Sequence, residues 1–121
     1  MTDLTEEERR IADVLARALA PSVDANEVGK MLAYWRRWRS PRKVFRLLER
    51  LPESGLVRTG QTRGYYQTMQ RAFNEHLKGV RPEAFGLILA WAFRLTRYYQ
   101  FLNESKNKQN QYKGKQRIKR R

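Results

Sequence analysis

The sequence predicts an all-α protein, built as a compact bundle of about five helices with a disordered basic C-terminal tail. Two observations support this prediction. Apolar residues recur at intervals of three and four in five separate segments, which is the spacing that gives a helix one buried face. Prolines and glycines stand between those segments, and the apolar pair Leu56 and Val57 is too short to form a strand.

The first two helices begin with residues that cap helix N-termini. Thr5 and Glu8 have the spacing of a capping box, in which each side chain accepts a hydrogen bond from the other residue's backbone N–H. Pro21 ends this helix. Asp24 and Glu27 repeat the capping-box spacing before the second helix. The apolar stripe of that helix is formed by Val28, Met31, Leu32, Trp35 and Trp38.

The third and fourth helices are also bounded by residues with strong local preferences. Ser40 is the expected N-cap of the third helix, which begins at Pro41 and runs to about Leu51. After a glycine-containing loop, the fourth helix runs from residue 61 or 62 to about residue 78, where Gly79 is a natural stop.

The fifth helix runs from Pro82 to about Leu102 and is apolar on two faces, so we expect it to pack on several sides. Residues 1–104 would form the helical bundle domain. Residues 105–121 are rich in Lys, Arg, Asn and Gln and cannot bury a core, so they are expected to form a flexible basic tail.

The charge balance predicts a polyanionic partner. The chain of 121 residues has 26 Lys and Arg against 12 Asp and Glu, a net charge of +14. In a compact fold these excess positive charges repel one another. Such a charge balance is typical of proteins that bind nucleic acid or an anionic membrane surface. The longest apolar run, residues 84–93, would make only about 15 Å of helix, so no membrane span is expected.

Catalysis finds little support in the sequence. There is no cysteine, and His76 is the one histidine, so neither a thiolate site nor a histidine metal cluster can form. We therefore expect no enzyme activity, no metal and no cofactor. The N-terminus is acidic and polar, unlike a signal or transit peptide, which favours a cytoplasmic protein.

The third helix carries the strongest binding signal. At 100° per residue its cations fall within an arc of about 100°, beside an apolar arc that can dock on the bundle. Such a face can meet phosphates, although a solvated surface face is the simpler interpretation. The cations are Arg42, Lys43, Arg46 and Arg50.

The end of the second helix adds tryptophan to positive charge. Trp38 could stack on an unpaired base while neighbouring cations hold phosphates, or its indole could belong to the core. The candidate cations here are Lys30, Arg36, Arg37 and Arg39.

Two weaker candidate sites complete the set. Arg63, beside Gly64, could hold a phosphate at the start of the fourth helix, and Arg71 lies further along it. In the tail, Lys113, Lys115 and Arg117 could add salt-sensitive affinity that does not depend on sequence. The alternatives are an ordinary loop and a tail that only confers solubility.

The chain resembles the small all-helical subunits of type III CRISPR effector complexes. The resemblance covers about a third of the chain and rests on size, basic helical character and aromatic and arginine positions. The residues that carry it are Tyr65-Tyr66-Gln67, Phe73-Asn74, Phe85 and Leu89-Ala90-Trp91-Ala92-Phe93-Arg94-Leu95-Thr96-Arg97-Tyr98-Tyr99.

This resemblance implies a non-catalytic subunit of an antiviral ribonucleoprotein. It implies that the subunit packs on the backbone subunits, associates with itself along a filament and contacts guide or target RNA through basic residues. By position these would be Arg36, Arg37, Arg42, Lys43, Arg46 and Arg50. The long basic tail is not part of the family pattern.

Other hypotheses stay open at this point. Helices two and three, joined tightly at Ser40-Pro41, could form a DNA-binding helix-turn-helix with Arg42 or Arg46 on base edges. A protein-interaction adaptor would use its charge only for solubility. A peripheral membrane protein would need an exposed apolar face beside the basic one.

Overall fold

A computed structural model describes residues 4–55 and 59–119, with side chains described as far as Ser105. The described residues form five α-helices and no strand, which confirms the predicted all-α bundle. A single 3-10 turn, Leu51–Glu53, follows the third helix. The helices are α1 Glu6–Leu19, α2 Ala25–Trp38, α3 Pro41–Arg50, α4 Gly60–His76 and α5 Pro82–Lys119.

The core lies where α5 packs on α1 and α2, and where α4 packs on α1 and α3. Its largest fully buried side chains come from all five helices and from the α1–α2 and α4–α5 connections. They include Leu15, Met31, Leu48, Phe73, Leu77 and Phe85. The predicted apolar stripes of all five helices therefore contribute to one continuous core.

The local caps determine where the helices start. Thr5 and Glu8 form the predicted capping box, with backbone-to-side-chain distances of 2.9 and 3.1 Å. The second predicted capping box is wrong, because Asp24 accepts from the backbone N–H of Asn26 at 2.9 Å instead. The carboxylate of Glu27 faces inward, where it accepts a hydrogen bond from Tyr66 at 2.5 Å. A long-range partner has thus replaced the local one.

The boundaries of α4 and α5 differ from those predicted, and α4 ends at His76 instead of near residue 78. α4 begins at Gly60 because Thr59, not a later residue, accepts from the backbone N–H of Thr62 at 3.1 Å. α5 continues to Lys119 instead of ending near Leu102. Lys, Gln and Glu are good helix formers and no proline follows Pro82, so the helix can propagate from its packed half. Leu56 and Val57 lie outside the described residues.

One face of α5 departs from expectation. Among the described residues, α1 and α2 are the helices that pack on α5 substantially, and its second apolar face is not buried. Leu87, Trp91 and Tyr98 are 39%, 47% and 56% exposed, and Phe101 is 64% exposed. The prediction that α5 packs on several sides is therefore wrong for this face.

Candidate nucleic-acid interface

A shallow groove joins the end of α2 to the exposed face of α3. It has a cavity volume of about 320 Å³ and is lined by one indole, one apolar side chain and three cations. The lining residues are Trp38, Lys43, Arg46, Leu47 and Arg50, and the set is called the Trp38 groove below. No carboxylate is among them.

The local sequence builds this groove. The four lining residues of α3 are spaced by three, one and three positions, so they share one helix face. Arg39 adopts the left-handed conformation with φ 54°, which ends α2 and lets α3 begin two residues later. This conformation is strained for a residue with a side chain. The Arg39 guanidinium lies over the Trp35 ring at 4.7 Å, an attraction that offsets part of the strain.

Trp38 is held in place by its neighbour one turn earlier. Its ring stacks on that of Tyr34, with centroids 5.1 Å apart and planes inclined by 19°. Tyr34 itself is half-buried and packs against the core. A half-buried indole fixed in this way offers a rigid edge to the groove, which lowers the entropy lost when a flat group binds against it.

The remaining cations of this region differ in their partners. Lys30 donates to Glu27 at 3.0 Å, so its charge is already compensated. Arg36 and Arg37 are exposed in the last turn of α2, without a carboxylate within 4.0 Å among the described residues. Arg42 is exposed too but lines a neighbouring depression that also contains Glu49. The four cations predicted on one face of α3 are therefore divided between two depressions.

The α4 candidates are set apart from the Trp38 groove. Arg63 lines a depression together with Glu49 and Glu53, an acidic setting that disfavours phosphate. Arg71 is exposed on α4 and lines none of these depressions. The side chains of the three tail candidates, Lys113, Lys115 and Arg117, lie outside the described part of the chain.

Sequence reasoning missed three features. The Tyr34–Trp38 stack follows i, i+4 spacing and could have been found from it. Arg9 and Trp91 line one depression between α1 and α5, and no local sequence pattern indicates that they come together. The exposure of Trp91, Tyr98 and Phe101 depends on which helices cover α5, so it too has no local signal.

The described side chains contain no group of three His, Asp or Glu placed to hold a metal ion. Within the same part of the chain, every helix is too short or too polar to cross a membrane. Comparison of the chain with protein-family models, with curated proteins and with solved structures finds no match. The resemblance to CRISPR small subunits and the absence of catalysis stay predictions.

Proposed function

We propose that this protein is a non-catalytic subunit of a ribonucleoprotein that binds single-stranded RNA through the Trp38 groove. The observation that supports it is the groove lining: three cations and a fixed indole, without a carboxylate. Cations attract the phosphates of any nucleic acid, whereas the half-buried Trp38 ring that lines the groove can contact a base only where that base is unpaired. Arg36 and Arg37 extend the positive surface at the end of α2.

The groove is tested by removing its charge while keeping its shape. Lys43, Arg46 and Arg50 are replaced by Gln in the full chain, and fluorescence anisotropy follows binding to single-stranded RNA, duplex RNA and duplex DNA over a range of salt. Each phosphate contact contributes about 0.7 to the slope of log K against log salt for single strands, so the slope should fall in magnitude by about 2.

A control variant removes the same charge elsewhere. It replaces three exposed cations outside the groove by Gln: Arg10, Arg17 and Lys78. Arg10 and Arg17 already pair with carboxylates one turn away, so they contribute little to a polyanion site. Equal losses of affinity in both variants would show that binding follows net charge alone and that the groove is not the site.

The same titrations separate the competing functions. Much tighter binding to one duplex DNA sequence than to random DNA would favour a helix-turn-helix regulator, since the linker between α2 and α3 has only two residues. Absence of binding to every nucleic acid at physiological salt would favour an adaptor.

The finer proposal is a cytoplasmic small subunit of a type III CRISPR effector complex, in contact with guide or target RNA. It rests on the sequence resemblance alone. The affinity-tagged chain, purified from its native cells, should elute with RNA and larger protein subunits, and ribonuclease should disperse that assembly. Elution of the chain alone, free of RNA, would contradict this assignment.

A further inference from the structure

An exposed aromatic stripe follows the outer face of α5. Leu87, Trp91, Arg94, Tyr98 and Phe101 are spaced by four, three, four and three residues, so they share one helix face. Phe101 is the most exposed at 64%, and Tyr98 and Trp91 are 56% and 47% exposed. Three large rings on one face exceed the scattered apolar residues that surfaces ordinarily show, which indicates a contact site.

Arginines are interleaved with these rings. Arg94 occupies the stripe between Trp91 and Tyr98, and its guanidinium carbon lies 5.8 Å from the centre of the Trp91 ring. Arg97, on the adjacent face, lies 5.7 Å from the centre of the Phe93 ring. Neither arginine has a carboxylate within 4.0 Å among the described residues. Their charge is therefore available to an anionic partner.

A depression lies beside the first ring of the stripe. It has a volume of about 440 Å³, its lining is mostly apolar, and it is formed by Ala12, Leu95, Trp91 and Arg9. A flat, partly apolar group could enter there against the indole, with Arg9 able to reach an attached anion. This combination of ring, apolar floor and cation fits a nucleotide better than a purely apolar ligand.

The spacing of the stripe is also that of a coiled-coil seam, so a second copy of α5 is the competing occupant. Charge disfavours it. Arg94 is central in the stripe, and in a parallel pair it would face its own copy inside an apolar seam. An antiparallel pair centred on the stripe brings the two arginines together as well. Burying two like charges without a partner costs several kcal/mol.

We infer that unpaired bases of the bound RNA stack on Trp91, Tyr98 and Phe101, while Arg94 and Arg97 contact the phosphates between them. This inference rests on the proposed function and adds a second contact surface to it. Aromatic rings alternating with cations are the usual means of holding single strands without sequence preference, because every base has a flat face.

The test compares two single-stranded ligands of equal length: an RNA of mixed sequence and an oligomer in which every site is abasic. The variant combines Trp91→Leu with Tyr98→Leu, which keeps apolar bulk but removes the rings. The control is Val14→Ala, which shortens an exposed apolar side chain of α1 outside the stripe. The double variant should lose affinity for the RNA, roughly tenfold for each ring. Its affinity for the abasic oligomer and that of the control for both ligands should change less than about twofold.

The outcomes distinguish the inference from the proposed function. If the unmodified protein binds RNA and abasic oligomer equally, or if the double variant binds RNA as before, the stacking inference is overturned while phosphate binding at the Trp38 groove stands. If the protein binds neither ligand, the proposed function fails as well. A chain that sediments as a dimer, and as a monomer after Trp91→Leu and Tyr98→Leu, would assign the stripe to self-association and overturn the inference.

Photocrosslinking tests the same contact without a substitution. RNA containing 4-thiouridine is irradiated with the full-length protein, and the modified peptides are mapped by mass spectrometry. Crosslinks at Trp91, Tyr98 or Phe101 are expected. Crosslinks confined to Trp38 and its surroundings would contradict stacking on α5, whatever the variants show.

Discussion

Gly86 provides a stringent test of how the helices pack. It is buried in the first turns of α5, where the helix meets the Trp35 ring of α2. A Cβ atom at this position would lie 2.2 Å from Cη2 and 2.3 Å from Cζ3 of that indole. Side-chain carbons do not approach within 3.0 Å in real structures, so Gly86→Ala forces the ring or the helix to move.

The magnitude follows from two opposing effects. Alanine is favoured over glycine within a helix by about 1 kcal/mol. Inserting a methyl group into packed surroundings costs about 1–3 kcal/mol, and more if the aromatic side chain is displaced altogether. Because the Trp35 ring is also held by Arg39 at 4.7 Å, we expect the cost to exceed the gain. Gly86→Ala should therefore destabilise the fold by about 1–2 kcal/mol.

Gly64→Ala is the matched control. Gly64 lies inside α4, and nothing among the described residues comes within 4 Å of a Cβ built there. Only the helix preference remains, so this variant should be stabilised by about 0.5–1 kcal/mol. Replacing glycine by alanine should thus lower the free energy of unfolding at position 86 and raise it at position 64.

The assay is thermal and urea unfolding followed by circular dichroism. For a chain of this size, 1 kcal/mol corresponds to about 4 °C in Tm. Gly86→Ala should melt about 4–8 °C below the unmodified protein and Gly64→Ala about 3 °C above it. In a Trp35→Ala background, Gly86→Ala should become neutral or stabilising, since the clash is gone. Equal shifts for both alanine variants, or an unchanged effect without Trp35, would refute the proposed α2–α5 contact.

Two further predictions concern polar pairs between residues that are distant in the sequence. Hydrogen bonds from Arg81, and then from the backbone of Thr5, hold the pKa of Glu8 at about 2. A lowered folded-state pKa contributes stability above the unfolded value of 4.5 that is lost as the pH falls towards 2. Glu8→Gln should thus unfold at a lower urea concentration than the unmodified protein at pH 6, and the difference between the two urea midpoints should disappear by pH 2. A difference that does not change with pH would show that the Glu8 charge is not its cause. Tyr66→Phe removes the hydrogen-bond donor to buried Glu27 and should destabilise the fold by about 1–3 kcal/mol. The control Tyr65→Phe, at the adjacent half-buried position, should change the free energy of unfolding by less than about 0.5 kcal/mol. Equal urea midpoints for the two variants would contradict the Tyr66–Glu27 hydrogen bond.

The amino-acid sequence by itself determined the fold class and most helix starts. Capping pairs such as Thr5 and Glu8 are three residues apart, and the stripe spacing is set by the helix period, so both can be read locally. The basic face of α3 also follows from the helix period, so it can be predicted from the sequence alone. Helix ends were predicted less accurately than helix starts. The predicted end of α5 was wrong because this helix continues through a segment that has good helix formers but no apolar stripe.

Only the tertiary structure decided which partner each side chain meets. Glu27 has a suitable spacing for a local cap, yet it bonds Tyr66, 39 positions away along the chain. The division of the α3 cations between two depressions depends on where α2 and α4 lie against α3. The exposure of Trp91 depends on which helices cover α5. Helical periodicity says which residues share a face, but packing between distant segments decides whether that face is buried or left to bind a partner.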